Sequence, residues 1–358
     1  MMLHRIFQPQ PASKLTSALL LLTIVSFFGA SSFAAGSSGM SGPETDLQAQ
    51  NTPGTKGPHI VKVGLYVNNL YDIDFAKNQY DVEFRTWFVY DEPDYQPNGR
   101  TEIVNAKKFS AHDESIEVAG DNYWATMLFR AKIKQAWDIS MYPFDTQELT
   151  IAIEDATDTT GTLLYQADTV GSRIAPDAIP DGWTLVDFKV DTSTTRYAST
   201  FGDPRLKADV EDDFNRVTAT IILKREGTRL FITNFLGFLT ATLLVIVVLG
   251  VNMSEKALAA IPLQPRVTLS VGALFSTVGS IYLLSTKLPY TTNFTLADSL
   301  QITTFVSITL AVISSVAVDI LVKNGKQALI KKMMSLIFIF FLATHFGING
   351  YLLTVATS

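Results

Sequence analysis

The stretch QPRVTLSVGALFSTVGSIYLLSTKLP, residues 264–289, decides how the chain is read. It is long enough to cross a bilayer, since about 20 helical residues span the hydrocarbon layer. Yet Thr268, Ser270, Gly272, Ser276, Thr277, Gly279 and Ser280 are small or polar. Such a helix suits protein neighbours and water better than lipid tails. Wound at 3.6 residues per turn, one stripe reads Gln264, Thr268, Gly272, Phe275, Gly279, Tyr282 and Thr286. That stripe is taken as the wall of a pore built from several copies of the helix. Periodicity alone also allows a tightly packed interior helix whose Gly and Ser residues let neighbours come close.

Composition bounds the rest. The 358 residues are 47% hydrophobic, too apolar for one soluble domain and too polar for a pure membrane bundle, so a mixed architecture of about two domains is expected. The chain has no cysteine, which removes disulfides, iron–sulfur sites and thiolate nucleophiles. His4, His59, His112 and His345 are scattered, giving little support for a histidine metal cluster or a catalytic histidine. No Gly-rich phosphate loop and no Ser-centred nucleophile motif occurs, so the chain is not expected to be an enzyme. No cofactor is expected either. The net charge of −6 is unevenly spread: beyond residue 228 three acidic residues face eight basic ones, so the acidic excess lies upstream. Nucleic acid is not an expected partner of that acidic region.

Taken in order, residues 1–35 read as a secretory signal. Arg5 and Lys14 precede an apolar run over 15–28, and Ser32, Ala34 and Ala35 suit cleavage. Residues 36–58, rich in Gly, Ser, Pro, Thr and Gln, read as a disordered linker. Residues 59–226 alternate with period two. Val61, Val63, Leu65 and Val67 form one apolar set. Val82, Phe84, Thr86 and Phe88 form a second, and Ala125, Met127, Phe129, Ala131 and Ile133 a third. Leu149, Ile151 and Ile153, and then Val217, Ala219, Ile221 and Leu223, continue the pattern. With turn signals at Pro97-Asn98-Gly99, Gly120-Asp121 and Gly202-Asp203-Pro204, this predicts an antiparallel β-sandwich. Residues 227–358 then hold four apolar runs, at 230–251, 264–289, 296–322 and 333–356. Lys256 and Arg266 flank the first connection, and Lys323, Lys326, Lys331 and Lys332 crowd the third. Positive loops stay cytoplasmic, which places the N-terminal domain outside, in agreement with the signal. The expected location is the plasma or inner membrane, crossed several times.

This order resembles the pentameric ligand-gated ion channels, the Cys-loop receptor superfamily, in its prokaryotic form. The resemblance covers residues 59–358. Its sharpest match is Tyr142-Pro143-Phe144-Asp145-Thr146-Gln147, which is similar to the family's Pro-loop signature, without the bracketing cysteines of animal receptors. Lys287-Leu288-Pro289 after the second span and Arg225 before the first are further matches. The resemblance implies an extracellular immunoglobulin-like antiparallel β-sandwich followed by a four-helix transmembrane bundle. It also implies a homo-pentamer embedded in lipid, conducting inorganic ions through a central pore opened by a small-molecule agonist or protons.

On that resemblance, Phe275 falls where the family carries a bulky hydrophobic ring, and Phe275 and Tyr282 are the expected gates. A collar of five phenylalanines can close a pore by dewetting. Arg225 is expected to meet Asp145 and either Asp72 or Asp74, and Leu288-Pro289 to meet Tyr142, Pro143 and Phe144, forming the coupling junction. Agonist contacts are expected from Glu154, Asp155, Tyr197, Phe201 and Phe214 on one face and Arg85 and Trp87 on the complementary one. Acids among aromatics suit an amine; an organic acid near Arg85, or protons, are the other options. Two departures stand out. The first span has Phe231-Ile232-Thr233-Asn234 where many members have a proline, and the inner mouth has Gln264-Pro265-Arg266 in place of an acid. Cation conduction is the expectation, anion conduction the alternative, and a non-conducting membrane receptor a further one. Glu211-Asp212-Asp213 and Asp155 with Asp158 are candidate calcium sites, although such runs are more often solvated.

Overall fold

The computed structural model describes residues 57–202 and 211–357. The expected signal segment and all but the last two residues of the linker lie outside the described residues, as do Asp203 and Pro204. A sandwich-like sheet domain comes first. Its strands are β1 (His59–Asp74), β2 (Gln79–Tyr90), β3 (Thr101–Ile103), β4 (Ala106–Ala119), β5 (Asn122–Lys134), β6 (Thr146–Asp155), β7 (Leu163–Ala167), β8 (Arg173–Ile174), β9 (Trp183–Tyr197) and β10 (Asp212–Arg225). One sheet runs β4-β5-β2-β1-β7, with β8 also paired to β1; the other runs β3-β6-β10-β9.

The period-two pattern explains the layering. Successive strand side chains point to opposite faces, so one apolar set per strand is buried together. Val61, Val63, Leu65, Val67, Val82, Phe84, Leu149, Ile151, Ile153, Val217, Ala219, Ile221 and Leu223 have no exposed surface. The expectation of a purely antiparallel sandwich needs correction. β7 and β8 both pair parallel to β1, so the larger sheet is mixed. The physical reason is connectivity: β7 follows β6 of the other sheet across a loop rather than a hairpin, and a crossover can deliver a strand in either direction.

Four helices long and apolar enough to cross a bilayer follow, which marks the chain as a membrane protein. They are α1 (Thr228–Met253), α3 (Leu263–Lys287) and α4 (Leu296–Lys323), with a short α2 (Glu255–Ala260) before α3. The fourth span joins α5 (Gln327–Phe341), a π-helical segment (Leu342–Ile348) and α6 (Asn349–Thr357). Thr295 starts α4 with a reciprocal cap: its hydroxyl accepts from the Asp298 amide while the Asp298 carboxylate accepts from the Thr295 amide. Lys331 lies 3.2 Å from Glu255, so the α2 region and the start of α5 share the end of the bundle away from the sheets. At the opposite end the Leu296 amide donates to the Ser140 carbonyl at 2.8 Å. The apolar core of the sheets continues into Phe235, Phe238, Leu284, Leu296 and Leu300 of the helices.

Candidate functional site

The helix quoted at the outset has two unlike faces. Arg266, Ser270, Ala273, Thr277, Ser280 and Leu284 are buried against the other helices. Gln264, Thr268, Gly272, Phe275, Gly279, Tyr282 and Thr286 are all exposed in the single chain. Phe275 and Tyr282 each expose 72% of their surface, the most of any residues on α3 among the large hydrophobics. The small residues do bring helices close, but from the buried side. The Ser276 hydroxyl donates to the Gly237 carbonyl at 3.0 Å, and a Cβ on Gly237 would collide with Ser280. One helix therefore packs with its serines while holding two large aromatic rings away from the rest of the chain.

The charge near the start of α3 is buried. Arg266 lies in the first turn with its side chain 3% exposed. Its Nη1 donates to Asn252 Oδ1 at 2.7 Å and to the Ser315 carbonyl at 3.4 Å, and its Nη2 lies 3.9 Å from Asp319. Asn252 in turn donates to Ser314 and Ser315, both at 3.0 Å. Arg266 thus flanks the connection between the first two spans from within the helix, with its charge turned into the bundle. Helical phase carries Arg266 onto the face opposite Gln264 and Thr268, inside the bundle.

The sheet domain meets the helices around Arg225. Its Nε and Nη2 donate to the two carboxylate oxygens of Asp145 at 2.8 and 3.2 Å, with side-chain exposures of 9% and 2%. A two-point fork onto a carboxylate is the strong form of this contact. The guanidinium also lies 4.1 Å from the Trp183 ring, 4.3 Å from Phe75 and 5.2 Å from Tyr142. Aromatic faces of this kind attract a cation once water is excluded. Asp72 and Asp74, expected as further partners, are not joined to Arg225. Asp74 pairs with Lys77 at 2.8 Å, three residues on, and that hydrogen bond holds its carboxyl below the usual range. Local geometry wins because Lys77 needs no long-range closure. Both acids still line the same cavity as Arg225, Tyr142 and Leu288.

The Pro loop rests on the start of α1. A Cβ on Gly227 would run into the Pro143 carbonyl, so only glycine permits this approach. Phe144 packs on Phe231 at 5.6 Å between ring centres. Leu288 packs on the shared core. Burial pushes the Tyr142 hydroxyl above its ordinary value, and the nearby Arg225 pulls it back in part.

The residues expected to hold an agonist fall into two groups. Tyr197, Phe201 and Phe214 form a three-ring cluster with centres 5.5 to 6.1 Å apart, all near edge-on. Glu154 adjoins it, accepting from Arg216 Nε at 2.6 Å and from the Tyr197 hydroxyl at 2.9 Å. Burial and the Glu154 carboxylate both raise the Tyr197 hydroxyl above its ordinary value. Arg216 had no place in the sequence reading. The signal was available: β6 and β10 pair with Arg216 directly opposite Glu154, and opposite charges favour that position. The pair leaves Glu154 neutralised within the chain.

Asp155 turns elsewhere, to Arg100. Arg100 also engages Asp158 and Thr157, so a guanidinium occupies the position where a cation was weighed. Among the described residues no group of three or more metal-ligating side chains comes together. In the second acidic run Arg196 bonds Asp213 at 2.9 Å. Arg85 and Trp87 lie on β2 of the other sheet. Arg85 is 3.6 Å from Asp113, and the Trp87 indole donates to Asp168 at 3.1 Å while lying over Gly64. The chain by itself does not join the two groups.

No protein-family model matches this chain, and a search of the curated proteins returns no match.

Proposed function

We infer that the chain is one subunit of a homo-pentameric ligand-gated ion channel, similar to the prokaryotic Cys-loop receptors, with the α3 helices enclosing the pore. The observation that carries this reading is the split of α3 into a serine-rich face packed on its own subunit and an exposed stripe bearing Phe275 and Tyr282. An apolar ring of that kind gates by excluding water. The sheet domain lies outside the plasma or inner membrane, agonist sites form between neighbouring sheet domains, and the junction around Arg225 and Asp145 couples the two. The protein performs no chemistry on its ligand.

Cations are the favoured cargo. The stripe from Gln264 to Thr286 carries no Asp, Glu, Lys, Arg or His. Arg266 is held inside the bundle, so it adds no positive ring at the inner mouth. The acidic outer domain enriches cations over roughly a Debye length, about 8 Å at physiological salt. The paired state of Glu154 argues against a simple amine agonist, because the acid already has a cation.

Purified full-length protein in a planar bilayer tests the reading. Phe275→Ala is expected to raise resting current at least several-fold over wild type, and a NaCl gradient is expected to give a reversal potential on the sodium side. Absence of current from wild type and from Phe275→Ala at every pH and ligand tried would leave a non-conducting receptor as the better account.

A further inference from the structure

Asn234 is a polar residue in the second turn of the first span, with 1% of its surface exposed. Both ends of its side-chain amide are used. Lys287, the last residue of α3, donates from Nζ to Asn234 Oδ1 at 2.8 Å. Asn234 Nδ2 donates to the Tyr142 hydroxyl oxygen at 2.8 Å. Lysine has no acceptor, so the amide can face it only through oxygen, and this fixes which end meets the tyrosine. Tyr142 belongs to the Pro loop and packs beside Arg225, which is clamped on Asp145. A chain of contacts thus runs from Asp145 through Arg225, Tyr142 and Asn234 to the outer end of α3, hydrogen-bonded at every step except where Arg225 lies over the Tyr142 ring at 5.2 Å. The ammonium of Lys287 also suits the negative end of that helix.

Neither end of this line depends on Asn234 for burial alone. A leucine has the same branching but can neither accept from Lys287 nor donate to Tyr142. A buried amide satisfied on both sides specifies one arrangement, and breaking it leaves polar groups unpaired.

We propose that Asn234 is a positioning residue that ties the last turn of α3 to the Pro loop, so that the Pro loop sets where the outer end of the pore helix sits. The tie itself is independent of the channel reading; its consequence for opening rests on that reading.

Amide hydrogen exchange on the full-length protein in lipid nanodiscs tests the tie. Asn234→Leu is expected to raise exchange about fivefold or more over 282–288 and over 140–146, the loss expected of a buried hydrogen bond in each segment, while β1 and β2 stay unchanged. Tyr142→Phe is expected to raise exchange over 282–288, and to add nothing in the Asn234→Leu background. Asn234→Asp, whose carboxylate accepts from both Lys287 and the tyrosine hydroxyl, is expected to keep the wild-type pattern. Lys287→Met, which removes the ammonium that donates to Asn234, is expected to raise exchange over 140–146.

Unchanged exchange over 282–288 in Asn234→Leu, additive effects of Tyr142→Phe and Asn234→Leu, or no response of 140–146 to Lys287→Met would each overturn the tie. Single-channel recording from the same preparations separates the two levels. A silent wild type removes the channel reading and leaves the exchange result standing. A conducting wild type whose open probability matches that of Asn234→Leu overturns the role of Asn234 in opening.

Discussion

Arg225 and Arg266 are both arginines with almost no exposed side chain, one at the junction of sheets and helices and one deep in the far end of the bundle. Arg225 is gripped by a carboxylate at 2.8 and 3.2 Å and roofed by aromatic rings. Arg266 is held by a neutral amide at 2.7 Å, by backbone carbonyls, and by a carboxylate only at 3.9 Å. The first cation is neutralised by contact; the second is solvated by dipoles with its counter-charge one step away. A buried charge can be tolerated either way, but only contact pairing makes two residues depend wholly on each other.

The difference can be broken most directly at Asp145. Asp145→Ala strands Arg225 without its partner and is expected to cost about 3–5 kcal/mol of stability, read as a large drop in melting temperature of the purified protein. Exchanging the charges, Asp145→Arg with Arg225→Asp, is expected to recover part of that loss, and a swap no better than either single change would refute direct pairing. Next in size is Arg225→Lys, which keeps the charge but gives up the fork and the stacking; about 1–2 kcal/mol is expected. The matching change at the other site, Arg266→Lys, is expected to cost less than about 1 kcal/mol, because one ammonium can still donate to Asn252. If the two lysine variants melt together, the contrast between fork and dipole shell fails.

The smallest effect concerns acid. Hydrogen bonds from Lys77, Arg130 and Arg196 hold Asp74, Glu83 and Asp213 below the ordinary carboxylate range. The folded chain therefore carries fewer protons on these groups than the unfolded chain as each titrates. Their contribution is complete above about pH 5 and is lost as pH falls through the folded values. These pairs are mostly exposed, so melts between pH 7 and pH 3 should show a shallow decline from this source, weakened further by salt.

The sequence made the sheets legible because period two is unambiguous when one face is buried: the apolar sets on β1, β2, β5, β6 and β10 are the buried sets. The four spans were legible from length and apolarity, and the stripe on α3 from helical spacing. Arg225 and Asp145 could be paired only through the family resemblance, since they are 80 residues apart and nothing local links them. What stayed hidden depends on three-dimensional phase. What Arg266 meets inside the bundle hinged on Asn252 and Asp319, which come from other helices. The parallel β7 hinged on a crossover with no hairpin signal. Arg216 opposite Glu154 hinged on strand register, and Asn234 on two partners from distant parts of the chain.

The wide turn at Leu342–Ile348 has an effect on everything after it. A π turn holds more residues than an α turn at the same height, so α6 emerges with its side chains out of step with those of α5. Each surplus residue corresponds to roughly 100° of rotation about the axis. Excising one residue there, such as Gly347, would rewind the coil and swing Asn349 away from Thr303, to which its amide donates at 2.7 Å. The helix would stay just as greasy and nearly as long, yet it would show its neighbours a different side. In this fourth span, the count of residues fixes contacts that hydrophobicity alone leaves undetermined.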